Sequence, residues 1–535
     1  FAGEVVEVLG RPGEPEPDFR AVVWHRRLPV EFPDDVAREV EAIVAPEPGE
    51  APADGSGVPW EDLRELPFVT IDPVTARDHD DAVWVEAGPS GGYRLWVAIA
   101  DVAGFVPRGS ALDREALRRG NSVYFPDRAI PMLPDRLSGD LCSLRAGVDR
   151  PALIAQLEIG ADGAVRSKRF RRAWIRSRAG LHYGQAAAAM AGDAAALPDP
   201  DLLEPLQRLA ACARALETRR MAAGAVDLDL PSPEISLDPD GMPVDIQEAA
   251  RTQAHRAIEE AMLAANRAVA EHLLAADVPA VYRVHEPPPA EDANDLRRVL
   301  ASFGLVDGRG RGPLSSGEVA EAIRRAEGRP EERLVNLTTL RSMQQARYET
   351  ENRGHFALAF EAYLHFTSPI RRYADLAVHR ALLASLAGGE AVQRARGGRE
   401  RLASVAVRVS YRERVAMRAE RDMLDLKKCA FMARHLGESF PGTVTSVARQ
   451  GLYVTLDPFF VEGLVHVSSL TEWVEFDEAG HALVARGSGR RFGMGDRYRV
   501  LVEQVDPVNG WINFSIEETL EGDAGDSPDG PPASA

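Results

Sequence analysis

The stretch FVTIDPVTARDHDDAVWVE, residues 68–86, decides how the chain is read. Two runs of β-forming residues, FVTI and AVWV, flank Asp72, Asp78, Asp80 and Asp81, four carboxylates within ten positions. Each charge raises the cost of ionising the next, so the cluster either faces water or surrounds something positive. A solvated acidic turn is the plainest reading, although buried-looking strands on both sides would hold such a loop at a sheet edge. A calcium loop fails on spacing: counting from Asp78, an EF-hand needs Gly and Glu where Val83 and Pro89 stand. A magnesium site for phosphoryl chemistry remains, because hard oxygen ligands hold divalent ions that neutralise clustered carboxylates. Spacing alone leaves the first and third readings both open.

Length and composition bound the rest. The 535 residues allow two to four domains, and 45% apolar content is enough for ordinary cores. No run of about 18 uncharged apolar residues occurs, and FAGEVVEVLG lacks a basic then apolar leader. A soluble, cytoplasmic chain with no membrane association is expected. Its first residue is Phe1, so an upstream part is expected to be missing. Cys142, Cys212 and Cys429 lie far apart without zinc spacing and read as buried thiols in a reducing compartment. A net charge of −19 argues against nucleic acid only as an average, since a groove needs no more than a local excess of cations.

Composition shifts divide the chain. Residues 1–50 form a partial module with strand-like GEVVEVLG and AVVWH and a helical PDDVAREVEAIV, and the Pro- and Gly-rich 51–64 reads as a linker. Strand and helix patterns alternate irregularly over 65–385, the mark of one large α+β domain. An Arg-rich helical extension follows over 386–436. Five short strands broken by Gly and Pro over 437–520 suit a small oligonucleotide-binding barrel, and 521–535 reads as a disordered acidic tail.

Other segments carry weaker signals. NSVYFPDRAIPMLPDRLSGDLCSL sets Tyr124 and Phe125 among prolines, where a rigid loop could present an aromatic face or simply pack into a core. AYLHFTSPIRRYADLAVHRALL leads through a turn into Arg371 and Arg372 and then a helix, suiting phosphate capture or a surface salt bridge. VRSKRFRRAWIRSRAG carries seven cations and no acid between Arg166 and Arg178, with Phe170 and Trp174 either interleaved for stacking or facing a core. Tyr453, on a barrel strand, suits stacking on single-stranded bases. A G-K-[ST] phosphate loop and an H-E-x-x-H pair are absent, and the twelve histidines are scattered.

Taken together and in order, these motifs resemble the RNase II/RNase R exoribonucleases, nearer the RNase R branch. The family's RNB-domain aspartate signature stands here as TIDPVTARDHDDA, with matching spacing at all four acids. The resemblance extends through IEEAMLAANRAVAEHL, YRVHEPP and GHFALAFEAYLHFTSPIRRYADLAVHR, and GTVTSV through VEGLVHVSSL resembles an S1 RNA-binding domain. It implies processive 3′-to-5′ hydrolysis of single-stranded RNA with a free 3′ end, giving 5′-nucleoside monophosphates. It implies two Mg²⁺ ions, replaceable by Mn²⁺, on Asp72, Asp78, Asp80 and Asp81, one activating water and the other steadying the leaving oxygen. Asp80 matches the aspartate most critical for chemistry, Arg371 an arginine at the scissile phosphate, and Tyr124 a tyrosine stacked on the 3′-terminal base. Tyr183 matches a tyrosine near the RNA, with Arg372 and Tyr453 as further RNA contacts.

Departures from the pattern are informative. Two cold-shock domains usually precede the catalytic domain, and residues 1–50 would be the remnant of the second. An acidic tail replaces the family's basic one, and His79 stands where a larger apolar residue is usual, a change expected to be tolerated. A monomer is expected. Two rivals are retained: a catalytically inactive RNA-binding regulator of the same fold, and a metal-dependent nuclease acting on DNA or small nucleotides.

Overall fold

The computed structural model describes residues 4–50, 52, 54–228, 232–310, 313–329, 331–477 and 482–520, and the expected acidic tail lies outside them. The N-terminal region corrects two strand expectations. GEVVEVLG forms no strand over residues 4–10, and AVVWH lies inside helix α1 (Pro15–Arg26), followed by α2 (Asp34–Ala42). Among the described residues up to 50 there is no strand, so nothing of a β-barrel forms there. End signals override the β-branched pair: Pro15 sits in the first turn with Glu16 and Asp18, and His25 and Arg26 close the last turn. Phe19 and Val22 of α1 then pack against Ala416, Ala419 and Met423, and Arg26 pairs with Asp422 at 2.6 Å.

The acid-rich stretch sits in a seven-stranded sheet with the order β1-β8-β7-β4-β3-β2-β9. Its strands are β1 (Glu61–Asp62), β2 (Val69–Asp72), β3 (Asp81–Ala87), β4 (Tyr93–Ala100), β7 (Asp149–Ile159), β8 (Val165–Arg176) and β9 (Ala179–His182). Neighbours run antiparallel except at the two edges, where β1 joins β8 and β9 joins β2 in parallel. Between β4 and β7 lie α3 (Ala111–Arg119) and a hairpin of β5 (Val123–Tyr124) and β6 (Ala129–Ile130). Every residue of β4 from Leu95 to Ala100 is buried, the continuous apolar pattern of a central strand.

Helices α4 (Tyr183–Met190), α5 (Leu203–Ala222) and, after the hairpin β10 (Pro233–Leu237) and β11 (Pro243–Glu248), α6 (Gln253–Ala275) cover the sheet, with α5 on β3 and α6 on β4 and β7. Strands β12 (Tyr282–Val284) and β13 (Arg347–Glu349) pair across an insertion of α7 (Ala290–Ser302), α8 (Ser316–Ala326) and α9 (Glu332–Ser342), which has its own small core. Helices α10 (Tyr373–Ala387), α11 (Gly389–Gly397) and α12 (Arg399–Met432) follow, the last being the long Arg-rich helix expected from sequence.

The C-terminal barrel closes as β14 (Ser439–Ala448), β15 (Gly451–Leu456), β16 (Glu462–His466), β21 (Trp511–Leu520) and β20 (Arg497–Asp506). A small sheet of β17 (Val474–Asp477), β18 (Ala482–Ala485) and β19 (Arg491–Phe492), not expected from sequence, is inserted in it. Ile246 of β11 lies in the barrel's core cluster, and its carbonyl accepts from the Phe460 N–H, so the barrel is docked on the larger domain. The fold is thus α+β with an all-β barrel after it, as expected. No helix among the described residues is long and apolar enough to cross a membrane, and all three cysteines are buried and free.

The expected linker at 51–64 is stitched to the sheet. Arg172, wholly buried, pairs with Asp101 at 2.5 Å and with Asp54 at 2.8 Å, and the Trp60 indole N–H also donates to Asp101. The basic stretch of β8 is largely ion-paired, Lys168 with Glu271, Arg171 with Glu61 and Arg176 with Asp149; Phe170 and Trp174 are buried, while Arg166, Arg169 and Arg176 stay exposed. Removing one partner of a buried pair strands the other charge, so Arg172→Met should lower the unfolding free energy by about 3–5 kcal/mol. Combining it with Asp101→Leu should recover part of that loss in urea titrations.

Candidate active site

Pro73 ends β2 by removing a ladder donor, and the chain then runs through the acid loop until Asp81 opens β3. The loop is fixed from the side by residues 143–144. The Ser143 hydroxyl accepts from the His79 N–H at 3.1 Å and donates to the Arg77 carbonyl at 2.7 Å, and the Leu144 N–H donates to the His79 carbonyl. These bonds reject the solvated turn, for Asp80 is only 3% exposed.

The second wall is the turn before α10. Asp375, buried in the first turn of that helix, accepts from the Ser368 N–H and from Arg372, both at 2.8 Å. The hairpin side holds the turn too, through Ser122 N–H to the Arg371 carbonyl and Tyr373 N–H to the Gly120 carbonyl. Arg372 is thereby committed to Asp375, whereas the Arg371 side chain is 45% exposed and stands 3.4 Å from Asp80 Oδ2 through its Nε. The Ile370 N–H donates to the other oxygen, Asp80 Oδ1, at 2.8 Å.

All four aspartates with Tyr124, Tyr183, Arg371 and Arg372 line one cleft of about 1030 Å³. Tyr453 does not line it; it sits on β15 of the barrel, where its hydroxyl accepts from Gln450. Tyr124 donates its hydroxyl to Asp78 at 2.7 Å, and its N–H donates to Glu420 of α12. Burial first, then Asp78, pushes the Tyr124 phenol up, so it stays a donor. Tyr183 opens α4 and stacks on His255 with centroids 3.7 Å apart, leaving one ring face covered; burial lifts its phenol to about 12.

Like charges in a desolvated site oppose ionisation. Burial, the largest cause, holds Asp80 well above the usual carboxylate range against the pull of Arg371 and the Ile370 N–H. Burial and then Asp72 push Asp81 up to about 7. Two observations suit a hard divalent cation: the donors are all carboxylate oxygens, and Asp80 Oδ2 is buried without a hydrogen-bond partner. One observation qualifies the fit. Among the described residues no three His, Cys, Asp or Glu side chains converge on a single ion position. Asp72 is instead held by His79 Nδ1 at 2.7 Å and Asp78 by Tyr124, each through one carboxylate oxygen, which leaves the second oxygen of each for a cation. His79 is thus an active partner of the cluster, where sequence suggested only a tolerated departure.

Sequence reading missed Glu259, Asn266, Tyr363, His365 and Glu420. The first four line the cleft, and each lies in a segment already singled out for its motif. Within a run that is otherwise buried from Ala362 to Ile370, His365 alone is partly exposed, which the sequence does not mark. Nothing marks Glu420 among the charges of α12.

Comparison with known proteins identifies two families along the chain. The RNB domain family matches residues 60–388 and the S1 RNA binding domain family residues 435–517. Ribonuclease R of Aquifex aeolicus is 40% identical, covering 97% of this chain and 73% of its own. Ribonuclease R of Escherichia coli is 37% identical over 96% of this chain and 64% of its own length. The apo form of Mycoplasma genitalium RNase R superposes with a TM-score of 0.86 at 25% identity, over 96% of this chain and 79% of that one; that protein is also solved in complex with ribose methylated single-stranded RNA.

The electrostatics yield a test independent of activity. A raised carboxylate pKa means that ionisation destabilises the fold above about pH 7 and has no effect below the unfolded value near 4. Asp81→Asn should therefore stabilise the cation-free protein at pH 8 by about 1–2 kcal/mol, a gain that vanishes by pH 4. Calorimetry of the EDTA-treated protein and its Asp81→Asn variant at pH 8 and pH 4 measures the difference.

Proposed function

The chain belongs to the ribonuclease R family of RNB-domain exoribonucleases, and from that premise we propose that it hydrolyses single-stranded RNA processively from a free 3′ end, releasing 5′-nucleoside monophosphates. The observation that carries this reading is the setting of Asp80: a buried carboxylate with one oxygen unbonded, facing an exposed guanidinium at the end of a cleft lined by three further aspartates. Held by Asp72, Asp78, Asp80 and Asp81, Mg²⁺, as two ions replaceable by Mn²⁺, would supply Lewis acidity and neutralise charge.

The chain's own groups have distinct tasks in this reading. Arg371 presents N–H donors to the scissile phosphate, where they strengthen as charge develops. Tyr124, fixed by Asp78 and Glu420, offers an exposed ring for stacking on the terminal base. Tyr183 has one face open to a nucleotide, and its partner His255 keeps it in place. Water adds to the last phosphorus, the bond to the preceding 3′ oxygen breaks, and the proton ends on that oxygen, giving a monophosphate and a strand shorter by one. Arg372 supports the turn, and Tyr453 on the barrel suits contact with RNA further from the cleft. Free buried cysteines support a reducing, cytoplasmic setting, and the expected state is a monomer.

A second reading, an inactive RNA-binding regulator of the same fold, is favoured by one observation, the carboxylates' failure to converge. One assay separates the readings: 3′- and 5′-blocked RNA and DNA oligomers with Mg²⁺ or EDTA, followed by product length. Mononucleotides only from RNA with a free 3′ end, suppressed by EDTA, are expected; tight binding without cleavage supports the regulator, and DNA cleavage supports the general nuclease. Asp80→Asn should abolish hydrolysis while leaving RNA binding measurable. Arg371→Ala should slow single-turnover cleavage by roughly two to three orders of magnitude, as loss of an oxyanion donor does; an unchanged rate removes Arg371 from the chemistry.

A further inference from the structure

We propose that His365 donates its Nε2–H to a non-bridging phosphate oxygen of the RNA strand in the catalytic cleft, a substrate contact additional to the aspartates and Arg371. This inference rests on the RNA-hydrolysing reading above and deepens it.

The backbone around His365 is fixed on both sides. Leu364 is fully buried and bridges to Tyr282, while the Phe366 N–H donates to Asn266 Oδ1 at 2.7 Å and the Phe366 carbonyl accepts from His379 Nε2. With its neighbours facing the core, His365 lines the cleft beside Thr367 and Arg371. Two tyrosines grip the ring: Tyr363 meets it edge-on at 5.6 Å, and the Tyr348 hydroxyl lies 2.7 Å from Nδ1.

That hydroxyl sets the tautomer. An imidazole nitrogen is a far better base than a phenol oxygen, so the phenol O–H donates and Nδ1 accepts, which leaves the proton on Nε2. Tyr348 is itself anchored, its N–H bonded to Ser410 and its ring beneath Arg283 at 4.7 Å. Among the described residues Nε2 has no hydrogen-bond partner, so its proton is open to the cleft. Burial, then Arg372, Arg283, His355 and Arg371, keep the ring neutral. Arg372 and Arg283 are matched by Asp375 and Glu413, while Arg371, 45% exposed, stands at the same cleft, and phosphate oxygens are acceptors only. The result is a fixed neutral N–H donor beside a guanidinium open to the cleft, matched to the RNA backbone.

The test is a functional-group cycle. Oligoribonucleotides carrying one methylphosphonate at successive linkages from the 3′ end are compared on the wild type, His365→Phe, His365→Gln and Tyr348→Phe, with kcat and KM separated and folding followed by thermal melting. On unmodified RNA, His365→Phe should lower kcat/KM roughly 10- to 100-fold, as loss of a hydrogen bond to a charged group does, and Gln should restore part through its amide. At one linkage the methylphosphonate should impair the wild type yet cause no further loss in His365→Phe. Tyr348→Phe should weaken the effect at that same linkage. Additive losses at every linkage overturn the proposal, as does a cycle that closes instead on a 2′-deoxy substitution. If the Phe variant unfolds, His365→Ala, which also lacks the donor, decides by the same comparison. A wild type inert on every RNA overturns the functional reading itself, a distinct result.

Discussion

The hydrogen bond from the Ile370 N–H to Asp80 Oδ1 joins two segments separated by 290 residues, and the arrangement of the cleft follows from it. A buried carboxylate without partners costs several kcal/mol, so the chain has to bring compensation to Asp80. It brings one backbone donor and one guanidinium, both from the turn that precedes α10. That turn is set by Asp375 and by the hairpin side of the domain, while the acid loop is set by Ser143 and Leu144. The sheet and α10 therefore meet at Asp80, whose Oδ2 faces the Arg371 guanidinium at 3.4 Å and makes no hydrogen bond.

Compensation at Asp80 is deliberately incomplete in physical terms, and its neighbours are treated alike. Asp72 leans on His79 and Asp78 on Tyr124, bonds that lower the cost of crowding four acids while leaving them displaceable. Tyr124 thus steadies an acid through its hydroxyl while its ring stays partly exposed.

Much of this was legible in sequence because it depends on local pattern. The acid spacing, the flanking strands, the 34-residue helix α12 and the five-stranded barrel each follow from periodicity or from residues close together. What was illegible depends on partners distant in sequence. AVVWH looks like a strand until Pro15 and the seat on α12 are known, and 51–64 looks like a linker until Arg172 is seen to gather Asp54 and Asp101. Arg371 and Arg372 look equivalent in the chain; only Asp375, three residues on, separates a guanidinium fixed in the turn from one facing the cleft. His79 gave no sign that it would reach back to Asp72, because the contact needs the β2–β3 connection to fold over itself.

The charge of −19 looked adverse for a partner as anionic as RNA, and the ion pairs resolve how the chain manages it. The densest basic segment, β8, is partly neutralised by carboxylates, with Arg172 wholly buried between two of them and Arg169 and Arg171 sharing Glu61. Cations that remain useful are those held without a full complement of acid, and Arg371 is the clearest, since the carboxylate it faces also faces the cleft. Arg371 stands in a recess of lower dielectric, which makes each of its N–H donors stronger than it would be on an open face.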